Sequence, residues 1–260
     1  EADLVAESGT KTNGGGALAP VKVAPLKYEY GLRISDEFMK ASEEYQLNIL
    51  KSFTDGASKK FARALDLSST LGINPRTATY SDLIGKNNFY DATGQAGTGH
   101  QFGHYAGQTE ESIEGMIAAI SADSGATPNG MLYGPQIGQE LAAKKTDGGA
   151  YLYPEFRFGG APEYLGGLKL GKSTTLGFAG SHFYDGQAHQ LITYAVVGDF
   201  SAFKWGYAQD ITYEIIQYGN PDNSDLGDLK GHNQVYLRAE AYLGWGILDP
   251  KRFGTIVEVA

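Results

Sequence analysis

Two histidines four residues apart, His100 and His104, are the first residues in this chain whose type and spacing could do chemistry. On a helix they would share one face and could bind a zinc ion. Gln101, Phe102 and Gly103 stand between them, and the glycines on either side predict a loop, with no acidic third ligand close in sequence. A second group, His182, Asp185 and His189, falls in a tyrosine-bearing stretch that reads as a surface turn. Asp199, ahead of Phe200 and Ser201, has the type of a catalytic carboxylate, but at that place it more simply caps a short turn through its own side chain. Residues 177–181, GFAGS, do not form the G-x-S-x-G elbow, and residues 170–173, LGKS, hold only the tail of a phosphate-cradling loop. Zero cysteines leave no thiolate ligand and no thiol nucleophile. No set of nucleophile, base and orienting group assembles from these residues. The expectation is a protein that is not an enzyme, with no catalytic residue, cofactor or metal. A metal-dependent enzyme using His100 and His104 is the alternative that this stretch leaves open.

Composition narrows the classes. The formal net charge is −9, which argues against nucleic-acid binding, because neutralising phosphates needs concentrated Lys and Arg. The 36 glycines predict many turns and long loops, and the 17 tyrosines predict extensive half-wet surface on strands or at interfaces. No apolar run approaches the ~18 residues of a membrane span. The first residue is not Met and no secretory signal precedes the chain, so Glu1 is expected to be a processed or truncated end.

The element expected to position the rest is residues 35–66, which read as one long amphipathic helix. Met39, Leu47, Leu50, Phe53, Ala57, Phe61 and Ala64 recur near the helical period and share a face, widened by Phe38, Tyr45 and Ile49. Glu37, Lys40, Glu44, Asn48, Lys51, Asp55, Lys59, Arg63 and Asp66 form the wet side. Ser35 is the expected N-cap, with Asp36 and Glu37 at the positive end of the dipole. Residues 71–75, LGINP, terminate the pattern. Ahead of it, residues 1–27 offer a short polar strand, a glycine-bearing tip at 9–16, and Val21 and Val23 alternating about Lys22 as in an exposed strand.

Residues 76–109 lack periodicity and read largely as loop. Thr109 is the expected cap of a helix whose buried stripe is Ile113, Met116, Ile117 and Ile120. Strands are expected at 131–133, 191–197 and 211–216, and a short helix at 135–145. Val235, Leu237, Ala239, Ala241, Leu243 and Trp245 alternate with Tyr236, Arg238, Glu240 and Tyr242, a run long enough for a central strand. Residues 220–233 form a polar loop suited to a surface or an interface. Helices and strands in separate blocks predict an α+β fold.

Taken in order, GDFS at 198–201, Asp210-Ile211, a strand ending near Gly219, HNQVYLRAE at 232–240, WGILDP at 245–250 and Phe253 resemble the major capsid (coat) proteins of tailed bacteriophages or prophages with the Hong Kong 97-type fold. PLK at 25–27 and ISDEF at 34–38 resemble that family's strand into its long spine helix, and Asn129-Gly130 and YLYP at 151–154 fall in order between. The resemblance spans roughly residues 5–258. It implies a partial extension loop over 1–27, a peripheral domain over 28–100 with the spine helix at 35–66, a mainly axial domain over 101–228, and return strands over 229–260 that complete the peripheral domain. It also implies a structural subunit whose partners are copies of itself, assembling into pentamers and hexamers of an icosahedral head around double-stranded DNA. DNA would be touched only indirectly and no membrane would be involved; the subunit would reside in the virion capsid after assembly in the bacterial host cytoplasm. Lys11, Asn13, Val21 and Val23 are the implied inter-subunit contacts of the extension loop, Lys11 because some relatives join a lysine there to an asparagine of another subunit. Relatives carry an N-terminal arm and the first half of that loop ahead of this point, so a truncated or proteolysed chain is expected. The same fold in an encapsulin-type nanocompartment shell, housing protein cargo, is the alternative.

Overall fold

The computed structural model describes residues 22–94, 97–177 and 192–259. Lys11, Asn13 and Val21, the polar strand and glycine tip expected near the start, the group of His182, Asp185 and His189, and most of 177–181 lie outside the described residues.

β1 (Leu26–Ser35) pairs antiparallel along its whole length with β10 (Gln234–Ile247), from Leu26 opposite Leu243 to Ser35 opposite Gln234. β9 (Phe203–Ile216) takes the other side of β10, so the sheet runs β1-β10-β9. The central place expected of 235–245 is occupied by β10. Its Leu237, Ala239, Ala241 and Leu243 pack against Phe53, Ala57 and Phe61 of helix α1 (Glu43–Leu71), with Tyr28, Tyr30 and Ile211 completing the cluster. The strand expected over 211–216 is only the far part of the longer β9. In its first half, Phe203, Trp205 and Tyr207 alternate with Lys204, Gly206 and Ala208, and pairing with β10 defines the strand through Asp210.

The helix expected over 35–66 is two elements. Ser35 caps as expected, accepting a hydrogen bond from the Glu37 amide at 3.3 Å, but it opens only a 3-10 turn, Asp36–Lys40. Ala41 is extended (φ −71°, ψ 167°), and Ser42 begins the true helix, its hydroxyl accepting from the Tyr45 amide at 3.4 Å with Glu43 and Glu44 in the first turn. The chain thus contains two cap-plus-acid signals. The break between them turns Phe38 into the interior, and the Gln46 amide serves the freed carbonyls of Met39 and Ala41 at 3.3 and 3.1 Å. α1 continues past Asp66 to Leu71, where Gly72 adopts the left-handed conformation (φ 69°) that closes helices.

Phe53, Ala57, Phe61 and Ala64 are buried as expected, whereas Met39, Tyr45 and Leu47 are exposed. Packing against the sheet begins only at Ile49 and Leu50. Asp66 does not lie on the open wet face. Its carboxylate accepts hydrogen bonds from Ser173, at 2.8 Å, and Thr175, pinning a segment more than a hundred residues further along the chain.

A second, six-stranded sheet follows the order β4 (His100–His104), β11 (Phe253–Glu258), β8 (Thr193–Gly198), β5 (Gly130–Tyr133), β7 (Leu168–Lys172), β6 (Tyr164–Leu165). β4 runs parallel to β11 and β5 parallel to β7; the other pairs are antiparallel. Helices α3 (Thr109–Ser124) and α4 (Pro135–Ala143) bury Ile113, Met116, Ile120, Ile137 and Leu141 against it. Thr109 is not a cap. Gln108 precedes the helix, and the Thr109 hydroxyl is committed to the Glu140 carboxylate. The stretch read as loop holds β3 (Thr79–Tyr80), which closes a small hairpin with β2 (Ile73–Asn74) just after α1, then α2 (Phe89–Thr93), then β4.

The two sheets share an aromatic joint. Phe89 of α2 lies 4.9 Å from Phe253, which begins β11, and 5.1 Å from Phe203, which begins β9. Val196, Ala202, Ile247 and Phe200 close around it. β9 therefore belongs to the sheet that packs on α1, and β11 to the sheet that packs on α3 and α4.

Candidate assembly interface

His100 and His104 sit on a strand, not a loop, because β4 is fixed by parallel pairing with β11 rather than by any local pattern. Each has an acidic neighbour that sequence distance hides. His104 Nε2 is 3.0 Å from Glu140, and His100 Nε2 is 3.7 Å from Asp123. The two histidines thus pair with separate carboxylates on α4 and α3. Among the described residues, no three His, Cys, Asp or Glu side chains converge as a metal set.

Asp199 does what its sequence context predicts. It accepts from the Ser201 amide at 3.0 Å, and it also takes Asn129 at 2.8 Å and Arg252 at 3.0 Å. Donation from Ser201, reinforced by the Arg252 guanidinium, holds its carboxyl below the usual carboxylate range despite partial burial. The group is a structural tie at the entrance to β5.

The surface that stands out is β9. It is fourteen residues long, lies at the edge of its sheet, and is exposed along nearly all its length. Trp205, Tyr207, Tyr213 and Ile215 are all more than a third exposed, and Tyr218 follows just beyond. Trp205 and Tyr207 meet edge to face at 6.0 Å. Among the described residues no strand pairs with the outer edge of β9. A long apolar edge of this kind is a template for another chain. Its register against β10 shifts twice, between Glu240 and Tyr242 and between Tyr242 and Leu243.

Of the four extension-loop candidates, Val23 is within the described residues. It is largely exposed, yet a Cβ built on Gly244 would come within 2.8 Å of its Cγ1. Gly244 pairs with Gly206 of β9, above which the space is open. The chain before β1 therefore passes close over Gly244 of β10, where a side chain would not fit.

Arg33 was not singled out by sequence reasoning, and it organises the polar loop at 220–233. Its guanidinium reaches Asp222 at 2.5 and 2.9 Å, Asn220 at 2.6 Å, the Gly227 carbonyl at 2.9 Å and Gln234 at 3.3 Å. No local signal could link a strand arginine to a loop so distant in sequence. The guanidinium holds the Asp222 carboxyl well below its ordinary value of 3.8, with Ser224 assisting. A carboxyl lowered in this way contributes stability above its unfolded value, and that contribution is lost as pH falls through the lower folded value. The loop is therefore expected to stay closed from pH 7 down to pH 4, and Arg33→Ala is expected to open it at pH 7. Amide-exchange protection over residues 220–233 checks both. Undiminished protection in the variant would show that Asp228 and the loop's own turns suffice.

No family model matches the chain, and no curated protein does. Solved structures do. One from Mycobacterium phage Ogopogo matches 100% of this chain and 83% of its own, with a TM-score of 0.80 and 29% sequence identity. One from Gordonia phage Cozz matches 100% of this chain and 78% of its own at a TM-score of 0.75 and 22% identity. The capsid of an empty GTA particle computed with C5 symmetry matches 97% of this chain and 81% of its own at a TM-score of 0.62 and 13% identity. The fold is the mixed α and β fold of Hong Kong 97-type phage capsids. In that fold the chain is similar to the subunits of phage and GTA capsids.

Proposed function

We propose that this chain self-assembles into the pentamers and hexamers of an icosahedral phage or prophage head that encloses double-stranded DNA, and that it does so in the host cytoplasm. The observation that carries this reading is the bare, aromatic edge of β9 in a subunit of capsid fold. A fourteen-residue apolar edge is a liability for a lone molecule and a natural seam in a shell. The α1–β10 unit would be the core of the peripheral domain, the six-stranded sheet the core of the axial domain, and residues 1–27 an extension-loop arm reaching a neighbour, with Lys11, Asn13, Val21 and Val23 as contacts. The net charge of −9 supports a shell that surrounds DNA without adsorbing it, and the subunit's partners are then copies of itself. No helix among the described residues is long and apolar enough to cross a membrane.

Electron microscopy and sedimentation of the purified protein test the reading. Closed shells or ringed capsomers are expected, and a strictly monomeric protein at high concentration would overturn it. Replacing Trp205 and Tyr207 together by Ser is expected to leave the melting temperature nearly unchanged, because both are half exposed, while reducing assembled species about tenfold or more. Equal assembly in parent and variant would remove β9 from the interface.

A further inference from the structure

We propose that a groove along α4 binds an acidic linear peptide of a different protein, with carboxylates on Arg157 and Lys172 and an apolar side chain against Tyr133, Phe156 and Phe158. The site lies within one copy of the chain and does not rest on shell assembly.

The groove follows α4 from its first turn to its last, since Pro135, Gly138, Gln139, Ala142 and Ala143 line it at helical spacing. From Pro135 to Ala143 the helix rises roughly 12 Å at about 1.5 Å per residue, the length of about four extended peptide residues. The volume is about 430 Å³, within the range of sites that hold a ligand. Lys172, at the end of β7, and the 3-10 segment Pro154–Gly159 supply further lining. The rings of Tyr133 and Phe156, edge to face at 5.8 Å, make part of the wall apolar.

The chain carries 30 acidic and 21 basic residues, yet this lining holds Arg157 and Lys172 and no carboxylate. Two rings hold the Arg157 guanidinium, Tyr151 at 3.7 Å and Phe158 at 4.6 Å, and Lys145 lies 4.8 Å over Tyr151 as well. Among the described residues none of these three cations forms an ion pair. A guanidinium held against rings still presents its N–H edge, which takes a carboxylate through two parallel hydrogen bonds. Phe158 itself is 95% exposed and left-handed (φ 56°, ψ 32°), a conformation rare for a bulky residue and one that collects at ligand clamps. The turn needs no aromatic there, whereas the mouth of an apolar groove gains one.

These features select the ligand. A polyanion such as DNA would meet a chain of net charge −9, a repulsion that a short segment with a few carboxylates largely escapes. The apolar wall calls for an aromatic or aliphatic side chain beside those carboxylates, the anchor supplying affinity and the charges register.

The test is fluorescence anisotropy on the full chain with a labelled peptide of alternating aspartate and phenylalanine. Saturable, salt-sensitive binding is expected. Peptides with asparagine for aspartate, or alanine for phenylalanine, are expected to bind about tenfold more weakly. Arg157→Glu and Phe158→Gly, the latter accepted by the left-handed backbone without strain, are each expected to weaken the parent peptide about tenfold. Lys59→Glu, at an exposed position of α1, changes the net charge equally and is expected to leave binding unchanged. Melting curves establish that each variant is folded, and Arg157→Gln replaces the charge reversal where it is not. Equal affinity of the parent and Arg157→Glu, or an equal loss in Lys59→Glu, would overturn the proposal. No binding at all would overturn it too, leaving the groove to the chain's own residues or to a second copy. Tighter binding of oligothymidylate than of the peptide would overturn it in favour of nucleic acid. None of these outcomes decides whether shells form, which sedimentation reads separately.

Discussion

Phe53→Ala is expected to lower stability by about 3–5 kcal/mol, the range for removing a buried aromatic and leaving part of its volume empty. Phe53 is the midpoint of the contact between α1 and its sheet. Its ring stacks on Tyr30 of β1 at 5.6 Å and meets Tyr213 of β9 edge-on at 6.3 Å, so one side chain ties the helix to both outer strands. The Ala variant would lose those contacts as well as its own burial against Leu237, Ala239 and Ala241. Lys59, exposed on the opposite side of the same helix, is the internal control, and Lys59→Ala should cost under ~0.5 kcal/mol. Urea unfolding followed by tryptophan fluorescence reads both. Trp245 is buried, its indole N–H donating to the Asn87 carbonyl at 2.7 Å. Similar midpoints for the two variants would contradict the assigned face of α1.

Phe89→Ala is the second large effect, again about 3–5 kcal/mol, and it differs in kind. Phe89 belongs to a five-residue helix of little intrinsic stability, yet its ring lies among the first residues of β9 and β11. Removing it opens a hole at the place where the two sheets meet rather than inside either one. The parent should melt in one cooperative transition, because the joint makes the sheets a single packed body. The variant should melt at a lower temperature and over a broader range, as the sheets lose their coupling. Calorimetry distinguishes the cases. A single transition of unchanged midpoint and width would show that Phe200, Phe203 and Phe253 close the gap alone.

What could be read from the sequence was whatever a local pattern encodes. The alternation from Val235 to Trp245 marks β10, and Ile113, Met116 and Ile120 mark the buried stripe of α3, since each element buries one face of a fixed period. Asp199 was legible because a cap is a contact between near neighbours. The errors fall where distant partners decide. His100 and His104 look like loop residues until β11, far along the chain, pairs with them. Asp66 looks solvated until Ser173 and Thr175 come to it. The start of α1 was misread because two serines each offer a good cap, and only the burial of Phe38 chooses between them. The assembly edge itself was nearly silent. In FKWGYAQDITYEII, Phe203, Trp205, Tyr207, Ile211, Tyr213 and Ile215 do alternate with smaller or polar residues, but Lys204, Gly206 and Gln209 obscure the first half of the pattern.

The two register shifts in β9 bear on what this edge refuses. An unbroken edge strand accepts any extended segment, including an identical strand from another copy, and like-on-like addition has no natural end; it grows into a fibre. Each extra residue in β9 leaves one group out of the ladder and sharpens the local twist. A segment docking here would have to step where β9 steps. Such an edge works like a key with two cuts, turning a surface prone to endless stacking into one that admits a matching profile and then stops. For a subunit that closes a shell, as proposed, that selectivity would separate a closed container from a precipitate.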